Sequence, residues 1–149
     1  MNYIRKAKLE DASRLAEIEI FNYRLNFYPI FKNDFYYFNE LQVATELETY
    51  RCHSDILANT YVYDDGVVKG FIRIDDKEIK KLFVEPVLQN QKIGSALLEY
   101  AIQNYNIKFL WALEKNKKAI CFYETHGFHR TNDKKIEEDT TKFLIRLQR

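Results

Sequence analysis

At 149 residues, with 46% hydrophobic and 30% charged side chains, the chain is long enough for one domain with a real core and ordinary in composition for a globular protein. A formal net charge of +1 supplies no global attraction to nucleic acid or to an anionic membrane. No apolar run approaches the roughly 20 residues that span a bilayer. The two cysteines, Cys52 and Cys121, form neither a CxxC pair nor a metal-ligand spacing, so buried or idle thiols in a reducing cytoplasm are expected, and no metal. MNYIRKAKLED lacks an apolar segment, so no secretion signal is expected.

Tyr3 to Ala7 alternates like a short strand. Asp11 or Ser13 is placed to cap a following helix on which Leu15, Ile18 and Asn22 share a face. Pro29 is expected to end or kink that region. FNYRLNFYPIFKNDFYYF, Phe21 to Phe38, is half aromatic. A second helix is predicted over Tyr37 to Tyr50, facing inward through Phe38, Leu41, Ala44 or Thr45, and Glu48.

Tyr61-Val62-Tyr63 and Val67-Val68 flank Asp64-Asp65-Gly66, a strong hairpin signal because glycine accepts positive φ. The returning strand carries Phe71, Ile72 and Ile74; a second turn near Asp75 to Lys77 leads to a strand over Ile79 to Val84. Ile93 to Asn104 reads as a helix, with Ala96, Leu97, Tyr100 and Ala101 on one side. Lys108 to Leu113 is a strand, and Asn116 to Thr125 a short helix stopped by Gly127. Phe128 to Thr131 and Lys142 to Leu147 are the last strands. The order β-α-α-β-β-β-α-β-α-β-β is that of an α/β protein with a mixed sheet and helices on its faces.

The stretch that carries chemistry is EPVLQNQKIGSALLEY, Glu85 to Tyr100. A helix N-terminus exposes unpaired N–H groups and a partial positive charge, and a glycine there lets a ligand approach the backbone. Together they suit a phosphate or pyrophosphate, although a strand-loop-helix join also serves simply to turn the chain. Pro86 adds weight, because a strand must end or splay at a residue with no N–H. Further on, Asn116, Ala119, Ile120 and Tyr123 form a single helical stripe.

LFVEPVLQNQKIGSALL followed by LEKNKKAICFYETHGF resembles the GNAT superfamily of N-acetyltransferases. The family's central motif, an apolar strand, a proline and Gln/Arg-x-x-Gly-x-Gly/Ala opening a helix, matches Gln89 to Gly94; its second motif matches Asn116, Ala119, Phe122, Tyr123, Gly127 and Phe128. IRKAKLEDASRLAEI and the DDGVVKGFI hairpin are also similar to the family, so the resemblance spans nearly the whole chain. One position departs from it: Lys92 replaces the first motif glycine.

The resemblance implies a GNAT-like acyl-CoA N-acyltransferase fold over residues 1–149, with a mostly antiparallel central sheet. It implies acetyl-CoA as co-substrate and a primary amine as acceptor, on a small molecule or a peptide N-terminus or lysine. The loop amides of Gln89, Asn90, Gln91, Lys92, Ile93, Gly94 and Ser95 would hold the pyrophosphate. The free edge of Leu82, Phe83 and Val84 would pair with the pantetheine amides, and one of its N–H groups would stabilise the oxyanion. Asn116 and Ala119 would contact the pantetheine arm, with plain helix capping as the alternative for Asn116. Tyr123 would protonate the departing thiolate, its alternative being a packed core tyrosine. Tyr28 and Phe31, beside Pro29, are the acceptor-site candidates. Glu78 is either a base or a solvated turn residue, His126 suits the end of a helix, and His53 and His129 read as surface positions, so no base is assigned. A CoA-binding module without turnover is the rival reading. A nucleic-acid partner is disfavoured by the balanced charge despite the KK and KNKK runs, no membrane partner is expected, and a homodimer stays open.

Overall fold

In a computed structural model that describes residues 2–149, seven strands form one sheet. They are β1 (Ile4–Lys6), β2 (Thr60–Asp64), β3 (Val68–Asp75), β4 (Glu78–Val84), β5 (Phe109–Leu113), β6 (His129–Ile136) and β7 (Phe143–Gln148), in the spatial order β1-β2-β3-β4-β5-β7-β6. Every neighbouring pair is antiparallel except β4–β5. That parallel pair requires a crossover, which α5 (Ile93–Asn104) supplies. The turns of the β2–β3–β4 meander fall where the sequence puts them, with Gly66 at φ 124° and Asp76 at φ 54°.

The helices before β2 depart further from expectation. α1 (Ala12–Asn22) runs without a break through a π-helical turn, Tyr23–Phe27, into α2 (Tyr28–Phe31). Pro29 therefore does not end the helix. A π turn immediately precedes α2, and the helix stops at Lys32 in a left-handed conformation, φ 53°. The single helix expected over Tyr37 to Tyr50 is split. A second π turn, Tyr36–Glu40, gives way to extended backbone at Leu41 and Gln42 before α3 (Val43–Cys52) and α4 (Ser54–Ala58). The break rotates the inward face: Leu41 is buried as expected, but it is joined by Val43, Leu47 and Tyr50, while Phe38, Ala44, Thr45 and Glu48 are exposed.

Asp11 stands at the start of α1 without capping it. Its carboxylate turns back to accept the Lys8 N–H at 2.8 Å and both arms of the Arg5 guanidinium at 2.8 and 2.9 Å. That bidentate bond clips β1 to the helix and holds the Asp11 carboxyl below its usual range. Ser13 lies exposed within the helix. Of the two alternatives for the cysteines, burial is excluded, since Cys52 and Cys121 are both free and exposed.

The sheet separates two apolar layers. On one face Ile72, Leu97, Leu98, Leu110, Ile120 and Leu147 are fully buried beneath α5 and α6 (Lys117–Glu124); on the other, Leu15, Ile18, Val62 and Phe71 lie under α1 and α3. Each such side chain contributes about 1.5–3 kcal/mol by leaving water. Gly70 is required by packing, since a Cβ there would stand 2.9 Å from the Phe83 carbonyl oxygen and 3.3 Å from Leu97.

Candidate functional site: a cleft at the splayed centre of the sheet

β4 and β5 pair only where they begin, Glu78 with Phe109 and Ile79 with Leu110. Just beyond, the β3–β4 register jumps from Ile74↔Ile79 to Arg73↔Lys81, leaving Lys80 as a bulge. A bulge bends and twists its strand, so β4 swings away from β5 and the edge of Leu82, Phe83 and Val84 facing β5 has no strand partner. The Val84 carbonyl accepts from the Asn22 amide at 2.9 Å and the Gln89 amide at 3.3 Å. Asn22, 2% exposed, thus ties α1 to the end of β4, a role invisible in a residue read only as one position on a helical face.

The opening between the strands widens into a cleft of about 1340 Å³. One turn of 3-10 helix, Pro86–Leu88, carries the chain out of β4. Asn90 and Lys92 then take left-handed conformations, φ 66° and 67°, and α5 begins. Lys92 occupies the cap position and makes no capping bond, so the first-turn N–H groups of α5 are left for another acceptor. Gly94 lies in this turn against the cleft. A Cβ there would meet Phe122 at 3.5 Å and Val84 at 3.7 Å, ordinary contacts, so packing does not demand the glycine. The backbone that would prefer glycine is at Lys92, where the family motif has one.

The opposite wall is α6. Asn116 caps it, its Oδ1 accepting the Ala119 N–H at 3.4 Å, and its side chain also borders the cleft. Tyr123 lines the cleft at 9% exposure, and among the described residues its hydroxyl has no hydrogen-bond partner. Burial alone pushes its phenol above the ordinary range. His126 joins the walls: Nδ1–H donates to the Phe122 carbonyl at 2.8 Å, which leaves Nε2 to accept from the Ser95 hydroxyl at 3.1 Å. The sequence offered no signal for this brace, because it links turns 31 residues apart.

Of the sequence-derived candidates, the cleft gathers Leu82, Phe83, Val84, Gln89, Asn90, Lys92, Ile93, Gly94, Ser95, Asn116, Ala119, Tyr123 and Phe31. Two stand elsewhere. Gln91 is exposed and off the cleft wall. The Tyr28 hydroxyl donates to Asp34 at 2.5 Å and its ring packs on Tyr37 and Phe38, so it supports the wall from behind. Glu78 begins β4 and pairs with Lys80; it is not itself among the residues that line the cleft. The pattern also missed Lys81, which lines the far end together with Tyr23, Phe27, Tyr36 and Tyr37 and is paired with the buried Glu19 of α1. Burial raises the Glu19 carboxyl, but the Lys81 charge and hydrogen bond, with the Arg73 charge, outweigh it and hold the group below its usual range.

A parallel strand pair splayed open, running into a tight loop and an uncapped helix start, is the architecture of the acetyl-CoA-dependent acetyltransferases. The acetyltransferase (GNAT) domain family matches residues 57–130, and the chain belongs to that superfamily. It is 35% identical over 74 residues to the peptidyl-lysine N-acetyltransferase YiaC of Escherichia coli (strain K12), a match over 48% of this chain and about half, 51%, of that relative's length. It is 28% identical over 150 residues to the uncharacterised N-acetyltransferase YuaI of Bacillus subtilis (strain 168), covering 90% of this chain and 84% of the other. The fold matches that of the PaiA N-acetyltransferase of Thermoplasma acidophilum solved with coenzyme A, with a TM-score of 0.68 at 22% identity and 96% of each chain covered. Among the described residues no helix is long and apolar enough to cross a membrane, and no cluster of His, Cys, Asp and Glu is arranged to hold a metal ion.

Proposed function

We propose that the chain, acting as one catalytic domain, moves the acetyl group of acetyl-CoA directly to a primary amine, on a small molecule or a peptide N-terminus or lysine. The observation that carries this reading is the unpartnered edge of Leu82 to Val84 leading into the uncapped start of α5. That edge offers peptide groups to an amide-containing chain, and the helix start offers N–H groups and positive dipole to a pyrophosphate. Lys92 and Lys118 line the same cleft. Acetyl-CoA, when bound, supplies an activated thioester. An N–H of the β4 edge polarises the acetyl carbonyl. The Tyr123 hydroxyl, unpaired and kept protonated by burial, is the proton donor to the leaving sulfur. A module that holds CoA without turnover is the less favoured reading, since it gives that unpaired hydroxyl no task.

Thermal-shift titration with acetyl-CoA, run beside Gly94→Glu, tests the proposal. A ligand at a hundredfold excess over its Kd stabilises the native state by about 2.7 kcal/mol. Saturable stabilisation that Gly94→Glu abolishes is the expected result, because the new carboxylate repels the pyrophosphate. No shift at millimolar acetyl-CoA defeats the reading.

A further inference from the structure

The far end of the cleft holds a charge arrangement that acetyl-CoA binding does not use. Lys81 projects on the same side of the sheet as Phe83, beside its ladder partner Arg73. Its ammonium pairs with Glu19 and lies 5.4 Å from the centre of the Tyr23 ring, and the side chain as a whole remains 30% exposed on the cleft wall. Glu19 itself is 2% exposed: besides the Lys81 ammonium it accepts the Tyr23 hydroxyl at 3.0 Å and the Tyr50 hydroxyl at 3.3 Å. Arg73 spends its guanidinium on neutral oxygens, the Tyr50 hydroxyl and Thr60 Oγ1, each at 2.8 Å. Glu46 is the other carboxyl of the group, and burial and the Glu19 charge draw it toward its neutral form.

Two cations, Lys81 and Arg73, therefore stand beside the Glu19 carboxylate, and the Lys81 ammonium is ion-paired to it. The member of the group that reaches the cleft is Lys81, since Glu19 is sealed behind it and Arg73 points to Tyr50 and Thr60. An ammonium has three N–H donors, and among the described residues Glu19 is its one ion-pair partner. The surrounding wall is aromatic: Tyr23, Phe27 and Phe83 pack edge to face or tilted, with centroids 5.1 to 6.3 Å apart. Against such a wall a charge acts through less water and counts for more. Glu40 and the segment Glu137 to Asp139 also line the cleft, outside ion-pair distance of Lys81, so the cavity complements a molecule of both signs.

We propose that Lys81 recognises a carboxylate on the acceptor, so that the acceptors of this enzyme are free amino acids with apolar or aromatic side chains, and that Glu19 is the positioning residue that fixes the ammonium. The inference rests on the acetyltransferase reading above and names the acceptor for the same cleft. A peptide lysine, with no carboxylate at a fixed distance from its amine, makes no use of this cation.

The test pairs amino acids with their decarboxylated amines: phenylalanine with 2-phenylethylamine, tyrosine with tyramine, and leucine with isoamylamine, each assayed by release of the CoA thiol. Wild type should favour the carboxylated member of each pair in kcat/KM by about tenfold or more, the scale of a hydrogen bond to a charged group. Lys81→Gln should bring that ratio toward one, mainly through KM for the amino acid, and Lys81→Arg should restore much of it. Because Lys81→Gln strands the Glu19 carboxylate, the double variant Glu19→Gln/Lys81→Gln is measured beside it and should show the same collapse of the ratio. Acetyl-CoA thermal shifts on every variant report the donor end separately. Equal kcat/KM for both members of each pair in wild type, a ratio that the variants leave unchanged, or acetylation confined to peptide lysines would overturn the proposal while leaving the donor reading intact. Absence of any acetyl-CoA shift in wild type would instead defeat the donor reading, and this inference with it.

Discussion

The two ends of the cleft are made of different material. The end proposed for acetyl-CoA, the donor end, is backbone: a strand edge left without a partner, two left-handed loop residues and the free N–H groups of a helix start. The end proposed for the acceptor is side chain: an aromatic wall around an ion pair whose members come from α1 and β4, with Tyr50 and Arg73 behind it. A backbone site constrains conformation more than residue type, which is how a lysine can stand at position 92 where the family motif has glycine. A side-chain site constrains identity at every position, because replacing one buried member strands its partners.

Tyr123→Phe probes the point where the two ends meet and should have the largest effect. Loss of a general acid lowers kcat by about a hundredfold or more, with the acetyl-CoA thermal shift retained because the donor end holds its ligand by backbone. Equal loss of rate and of cofactor stabilisation would show that the phenol is structural and that the ends are not separable.

Glu19→Ala probes the acceptor end and should cost about 2–3 kcal/mol in urea unfolding, since it strands two tyrosine hydroxyls and a partly buried ammonium. The pH dependence follows from the depressed carboxyl. Its stabilisation is complete above the unfolded value near 4.5 and is lost as pH falls through the lower folded value. Wild-type stability should therefore fall below about pH 4.5 more steeply than that of Glu19→Ala. Parallel acid limbs for the two proteins would remove Glu19 from the account.

Lys92→Gly is the gentlest probe and belongs to the donor end. Relieving a left-handed lysine should raise stability by about 0.5–1 kcal/mol, the strain relieved less the entropy that glycine adds to the unfolded chain. The loop conformation already matches glycine, so acetyl-CoA should still stabilise the variant. A marked loss of acetyl-CoA affinity would show that the ammonium itself binds the pyrophosphate, and that the donor end is less purely backbone than its geometry suggests.

The contrast also explains which parts of the molecule were legible in its sequence. The β2–β3–β4 meander and α5 were readable because turn glycine, alternation and helical periodicity are local, and α5 spans the predicted residues 93–104. The broken helices were not. The π turns at Tyr23–Phe27 and Tyr36–Glu40 satisfy aromatic packing against the sheet and against each other, so tertiary contact overrode helical period, and the predicted face through Phe38 and Glu48 turned outward. Asp11 looked like a cap because its position is that of a cap; Arg5, reaching across from β1, claimed its carboxylate instead. Tyr28 was proposed for the acceptor wall on its place beside Pro29, and Asp34 and Phe38 hold it behind that wall.

By itself the sequence determined the strand and helix order, the place of the loop that opens α5, and the stripe that ends in Tyr123, because each is written in residues a few positions apart. Only the tertiary structure decided that β4 leaves β5 after two paired residues, that His126 braces Ser95, and that Lys81 meets Glu19 across 62 positions. The physical reason is range. Periodicity, turn chemistry and caps act over one or two turns of chain, whereas a bulge that opens a sheet and a buried charge that finds its partner depend on which distant segments the folded layers bring together.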